Sequence, residues 1–232
     1  ITAIVVSLLS PFLGALADRG GYRKLFLITS TWICAIFSIL LYFPNIGDVY
    51  FALSVFVIAN IAFEMGGVFC NSYLPDLSDS DNIGRISGYA WGLGFVGGLL
   101  ALFLSFILFD INNPDEIRKI NILVGVWFLL FSIPTFLFVK DRKREKLNKQ
   151  HIVSSFQSIA ETFRSIAHYR KIYRFLIARL FFNDGLITIF AMGGVYASVT
   201  LDFTFKEVMM LGIVLNICAA AGSFLFGYIE DK

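Results

Sequence analysis

Apolar residues along this chain gather into seven long runs, at residues 1–17, 25–43, 49–70, 83–109, 120–139, 175–199 and 208–228, separated by polar segments. A helix that crosses a bilayer takes ~20 mostly apolar residues. These runs are too long and too evenly apolar for the alternating strands of a barrel. Only helices and closed barrels satisfy their backbone groups inside lipid, so the pattern predicts an all-α membrane protein with seven spans. The first run is already under way at Ile1 and the last is followed by only a few residues, so the chain reads as the middle of a longer protein.

The polar segments predict the orientation. Arg19, Arg23 and Lys24 follow the first run, Arg85 opens the fourth, ten basic residues lie between Lys140 and Arg174, and Lys232 ends the chain. Arg118, Lys119 and Lys206 fall on the other side, and Arg179 lies inside a run. Fifteen basic residues against three make the first side cytoplasmic. The connection 140–174 then divides the chain into the remainder of one helical bundle, 1–139, and the start of a second, 175–232. It opens on a charge run, Lys140 to Lys146, and continues with apolar residues at Ile152, Phe156, Ile159, Phe163 and Ile166. That spacing predicts an amphipathic helix lying on the cytoplasmic surface.

Composition sharpens the class. Hydrophobic residues make up 57% of the chain and charged ones 16%, against ~25% charged in soluble domains. The mean hydropathy is +0.76. The net charge of +2 sits in loops between apolar runs, which argues against a nucleic-acid surface. Cys34, Cys70 and Cys218 lie inside apolar runs without metal-ligand spacing and read as small packing residues. Asp76, Asp79 and Asp81 read as a solvated acidic loop, and His151 and His168 as solvated residues. No nucleophile–base arrangement, nucleotide-binding loop or metal-ligand cluster stands out, so no enzymatic activity, cofactor or metal is expected.

A repeat carries more. Gly14, three residues, Asp18-Arg19, then Gly20-Gly21-Tyr22-Arg23-Lys24 closes the first run, and Gly227, three residues, Asp231-Lys232 closes the last. Two copies on either side of the central connection match a carrier built from parallel halves. The first copy resembles the signature loop between helices 2 and 3 of the major facilitator superfamily, with Tyr22 as a departure where a further basic residue is common. The resemblance implies helices 2–8 of twelve and a complete protein that is monomeric. In physical terms Gly14 lets helices approach, and Asp18 accepts hydrogen bonds from a neighbouring helix N-terminus or an arginine. Gly14, Asp18, Arg19, Gly21, Arg23, Lys24, Gly227 and Asp231 are the candidate cytoplasmic gate. Tyr73-Leu-Pro-Asp76-Leu77, the glycine-rich stretch from Gly84 to Gly98, and Phe182-Asn-Asp-Gly185 are similar to the branch of autophagy-linked vacuolar amino-acid effluxers and their uncharacterised bacterial relatives. That likeness implies amino-acid efflux, here across a bacterial cytoplasmic membrane.

Ionisable and polar residues inside the runs are the candidate site, because burying them in lipid is costly. Asn60, Glu64, Gly67 and Asn71 fall within about 60° on a helix, a polar stripe in which Glu64 binds a cationic group or a proton. Asp184 lies ~14 Å into its run, flanked by Asn183 and Gly185, and Arg179 lies ~6 Å in, within reach of the surface. Arg179 shares a face with Asn183, whereas Asp184 is ~140° away. Asn216 and Trp91 complete the set. Gly84, Gly88 and Gly92, with Gly94 and Gly98, form small-residue stripes suited to close helix packing. They are answered in the last run by Gly212, Ala219, Ala220, Ala221, Gly222 and Ser223. The expected partners are a small solute, a proton and the lipid bilayer. The rival readings are a non-transporting sensor or scaffold on a carrier fold, a membrane enzyme acting on lipid, and a lipid flippase.

Overall fold

The computed structural model describes residues 2–45, 47–79, 81–110, 113–140 and 170–230. It is all-helical among these residues, with α1 (Thr2–Gly20), α2 (Arg23–Leu40), α3 (Val49–Asn71), the short α4 (Leu74–Leu77), α5 (Ile83–Leu108), α6 (Pro114–Phe138), α7 (Arg170–Thr200) and α8 (Phe205–Glu230). Of the seven expected spans, α2, α3 continued by α4, α5, α6 and α8 are each long and apolar enough to cross a membrane. A sixth is α7, taken as one span bent by 45° between its arms Ile172–Phe190 and Met192–Thr200. The apolar stretch of α1, Ile4–Gly14, is shorter than the others.

Helix ends follow local chemistry. Gly21, at φ 62°, takes the left-handed conformation after α1, and the Tyr22 N–H reaches back to the Ala17 carbonyl at 3.1 Å. This is the Schellman arrangement, in which glycine caps a helix without a Cβ penalty. Asn113 caps α6 by accepting from the Asp115 N–H at 3.0 Å, with Pro114 in the first turn. Thr204 and Glu207 cap α8 reciprocally: Glu207 Oε2 accepts from the Thr204 N–H at 2.8 Å and Thr204 Oγ1 from the Glu207 N–H at 3.4 Å. The polar first turn of α6 makes it begin six residues before the apolar run, so Arg118 and Lys119 belong to a helix rather than to a loop.

Packing forms two groups. In the first, α2 lies against α3 and α6, and α1 against α3. Its core gathers Ala17, Leu27, Met65, Phe69 and Tyr73 where α1 ends and α2 begins, with Phe26, Phe136 and Val139 packed around them. Gly125 of α6 lets α2 in, since a Cβ there would stand 2.5 Å from Ile39 Cγ1 and 2.8 Å from the Ala35 carbonyl oxygen. In the second group, α5 packs along α8, the most extensive helix pair among the described residues. At the opposite end, Arg118 donates to the carbonyls of Tyr42 (2.8 Å) and Pro44 (2.6 Å).

Candidate functional site: a glycine seam, an arginine latch and intramembrane acids

The α5–α8 pair joins helices from either side of the central connection. The two run antiparallel, and glycine sets their spacing. A Cβ on Gly88 would lie 2.6 Å from Gly227 Cα and 2.7 Å from the Ser223 carbonyl oxygen. A Cβ on Gly227 would lie 2.9 Å from Gly88 Cα and 3.3 Å from the Gly84 carbonyl oxygen. Backbone meets backbone here, at a distance that allows Cα–H···O contacts. One turn further, the Phe224 ring fills the notch at Gly92, where a Cβ would come within 2.7 Å of it, and Tyr89 tilts against the same ring at 5.7 Å. Beyond that, Gly98 faces Asn216 Oδ1 at 3.7 Å from its Cβ position, an ordinary contact. Asn216 gives its amide N–H to its own helix, at the Gly212 carbonyl (2.8 Å). Gly94 departs from the expectation of close packing. Its Cβ position has nothing within 4 Å, because it turns toward a cavity.

The latch lies at the start of α2. Arg23 Nη1 pairs with Asp76 Oδ2 at 2.6 Å, with the arginine side chain 12% and the aspartate side chain 28% exposed. The reading of Asp76 as part of a solvated loop is therefore corrected. Pro75 opens the short α4, and that turn lifts Asp76 toward α2. The α2–α3 contact continues inward through Phe26 stacked on Phe69 at 5.3 Å and Ser30 against Gly66. The pairing joins residues 53 positions apart, and a per-residue reading of hydropathy carries no signal for it.

Of the remaining gate residues, Asp18 and Arg19 occupy the last turn of α1 and Lys24 the first turn of α2. Nothing stands within 4 Å of a Cβ at Gly14. Asp231, Lys232 and the expected amphipathic helix lie outside the described residues.

The polar stripe of α3 points away from its packed face. Val55, Ala59, Ala62, Met65 and Phe69 are buried, whereas Glu64, Gly67 and Asn71 are exposed and Asn60 is half-buried. Glu64 has no hydrogen-bond or ion-pair partner among the described residues. Beside the stripe, a cavity of about 450 Å³ opens between α2, α3, α5 and α6. Its walls are Phe63, Phe128, Phe131 and Phe136, with hydroxyls from Thr31, Ser132 and Thr135, and Gly67 is the one stripe residue that lines it. On α7, Arg179, Asn183 and Asp184 are exposed on the straight arm before the bend. Because α7 begins at Arg170, five residues before the apolar run, Asp184 sits near the midpoint of the helix and Arg179 in its third turn. The two do not pair, in keeping with their ~140° separation. Trp91 is exposed beside Phe95. Among the described residues no group of three or more His, Cys, Asp or Glu side chains converges as metal ligands do.

The family described as "Vacuole effluxer Atg22 like" matches residues 1–232. The uncharacterized MFS-type transporter YxiO of Bacillus subtilis is 24% identical across 100% of this chain and 56% of its own length. An uncharacterized protein of Aquifex aeolicus is 28% identical across 97% of this chain and 53% of its own. Autophagy-related protein 22-1 of Penicillium rubens is 22% identical across 63% of this chain and 27% of its own. The chain thus spans about half the length of the bacterial relatives and a smaller share of the fungal one. No solved structure matches.

Proposed function

We propose a function from one premise: this chain belongs to the vacuole effluxer Atg22-like family. The protein is part of a secondary carrier that moves a small solute across a membrane by alternating access. Amino acids are the cargo class and a proton is the coupling ion. The observation that carries this reading is the α5–α8 seam, which joins helices on either side of the long central connection with glycine backbones in direct contact at Gly88 and Gly227 and one aromatic ring, Phe224, seated at Gly92. Such a joint can part and re-form without stripping water from a charge, as rocking of two halves about a central site requires. Intramembrane acids supply the site. Glu64, without a partner among the described residues, and Asp184, at mid-helix, bind the proton or the amino group of the solute, with Asn60, Asn71, Asn183 and Arg179 beside them. Arg23, held by Asp76, braces the cytoplasmic end while the seam opens.

The test uses the full-length protein in proteoliposomes under an imposed pH gradient, following internal pH as amino acids are added. Solute-driven proton movement is expected in wild type and is lost in Glu64→Gln or Asp184→Asn. Flux that survives both substitutions removes the coupling role of the acids and keeps the carrier. Binding without any flux, from folded protein, overturns the carrier reading in favour of a sensor.

A further inference from the structure

Arg23 is held by more than its carboxylate. The ring of Tyr73 lies beneath its guanidinium, with the central carbon 5.8 Å from the ring centroid. Tyr73 is only 4% exposed, so water competes little for that face. An arginine within ~6 Å of an aromatic face is attracted by the ring quadrupole, most strongly where both are desolvated. The turn of α4 brings the two holders to one cation: the Asp76 N–H bonds back to the Tyr73 carbonyl at 2.9 Å, which sets ring and carboxylate three residues apart on the same side. They act on different parts of it. Asp76 takes the Nη1 N–H, and the ring faces the guanidinium carbon, so two contacts from different directions restrain the long side chain. One turn deeper, the Phe26–Phe69 stack holds the two helices in register.

We propose that Tyr73 is a positioning residue whose aromatic face orients Arg23 for Asp76, so that α2 and α4 stay locked at the cytoplasmic end. The lock stands on geometry alone, and its consequence for transport rests on the carrier reading above. The experiment replaces Tyr73 in the full-length protein with phenylalanine and with a ring-fluorinated phenylalanine of similar shape whose face has lost its negative charge. Cys70 is the reporter, in a background whose other cysteines are serine. It lines the cavity close behind the latch, and its labelling by a membrane-impermeant maleimide from the cytoplasmic side is timed without solute. Phenylalanine is expected to match tyrosine, and the fluorinated ring to speed labelling about two- to fivefold. In an Asp76→Asn background the fluorinated ring adds much less, because the two holders act as one unit. Equal rates for the two replacements, whether both slow or both fast, overturn the proposal. Labelling needs no flux, so a wild-type protein that fails to transport refutes the carrier reading and leaves this result intact.

Discussion

Where α5 meets α8, closeness comes from side chains that are absent; where α2 meets α3 and α4, it comes from side chains that are large, aromatic and charged. In the seam Gly88 and Gly227 put backbone on backbone. In the latch Arg23, Tyr73 and Asp76 interlock, backed by Phe26 and Phe69. The difference lies in what separation demands. Opening the latch breaks a partly buried ion pair and leaves a charge behind, which is costly unless the charge finds water or a new partner. Opening the seam between Gly88 and Gly227 exposes glycine backbone already satisfied within its own helix, and at Gly92 an apolar ring, so lipid or another helix can replace the lost contacts. On the proposed carrier reading, the first kind of joint suits a strut within a half, and the second a joint between halves.

That contrast can be broken by adding atoms to the seam or removing them from the latch. The largest effect is expected from Gly88→Val, which drives a branched side chain into Gly227 Cα and the Ser223 carbonyl. Overpacking of this kind costs about 1–3 kcal/mol where structure can adjust, and two backbones adjust poorly. Transport by the full-length protein should fall about tenfold or more, measured as solute flux per folded molecule. Gly125→Ala comes next. Its Cβ meets Ile39 and the Ala35 carbonyl within one half, so thermal stability should drop by about 1–3 kcal/mol while the flux of surviving molecules stays close to normal. A Gly125 variant that kills flux at full stability would erase the distinction between the two kinds of joint. Asp76→Asn is expected to be milder, about 1 kcal/mol for a partly shielded pair, read as thermal stability. The charge swap Arg23→Asp with Asp76→Arg should recover part of it. The smallest effect belongs to Gly94→Ala. Nothing lies within 4 Å of its Cβ position, and alanine favours the helix by about 0.5–1 kcal/mol. Stability should hold or rise slightly, with flux unchanged; lost flux would mean that the cavity Gly94 lines takes part in transport.

Much of this was legible in the chain and the rest was not, for identifiable reasons. Periodicity is a local property, so the starts of α3 at Val49 and α5 at Ile83 coincide with the apolar runs. The starts of α6 and α7 do not, because their first turns are polar or basic and hydropathy discounts them. The cap at Asn113 with Pro114 was the signal that could have placed α6. The glycines of α5 announced a close neighbour, yet spacing alone could not say that Gly94 would turn away while Gly92 received Phe224. The latch was the least legible part. Arg23 read as a member of the candidate gate loop and Asp76 as one acid of a separate loop, and only the fold brings them together. Gly125 was hidden because a lone glycine in an apolar helix carries no direction.

The clasp at the far end of the molecule bears on how the chain is made. Arg118 supplies hydrogen bonds to the Tyr42 and Pro44 carbonyls from a position 76 residues downstream of Tyr42. During synthesis the α2–α3 hairpin emerges first, and those carbonyls must be left to water until α6 arrives. The finishing bond of an early hairpin is therefore delivered by a late helix, and a ribosome stalled before Arg118 holds an insertion intermediate with its outer corner still open.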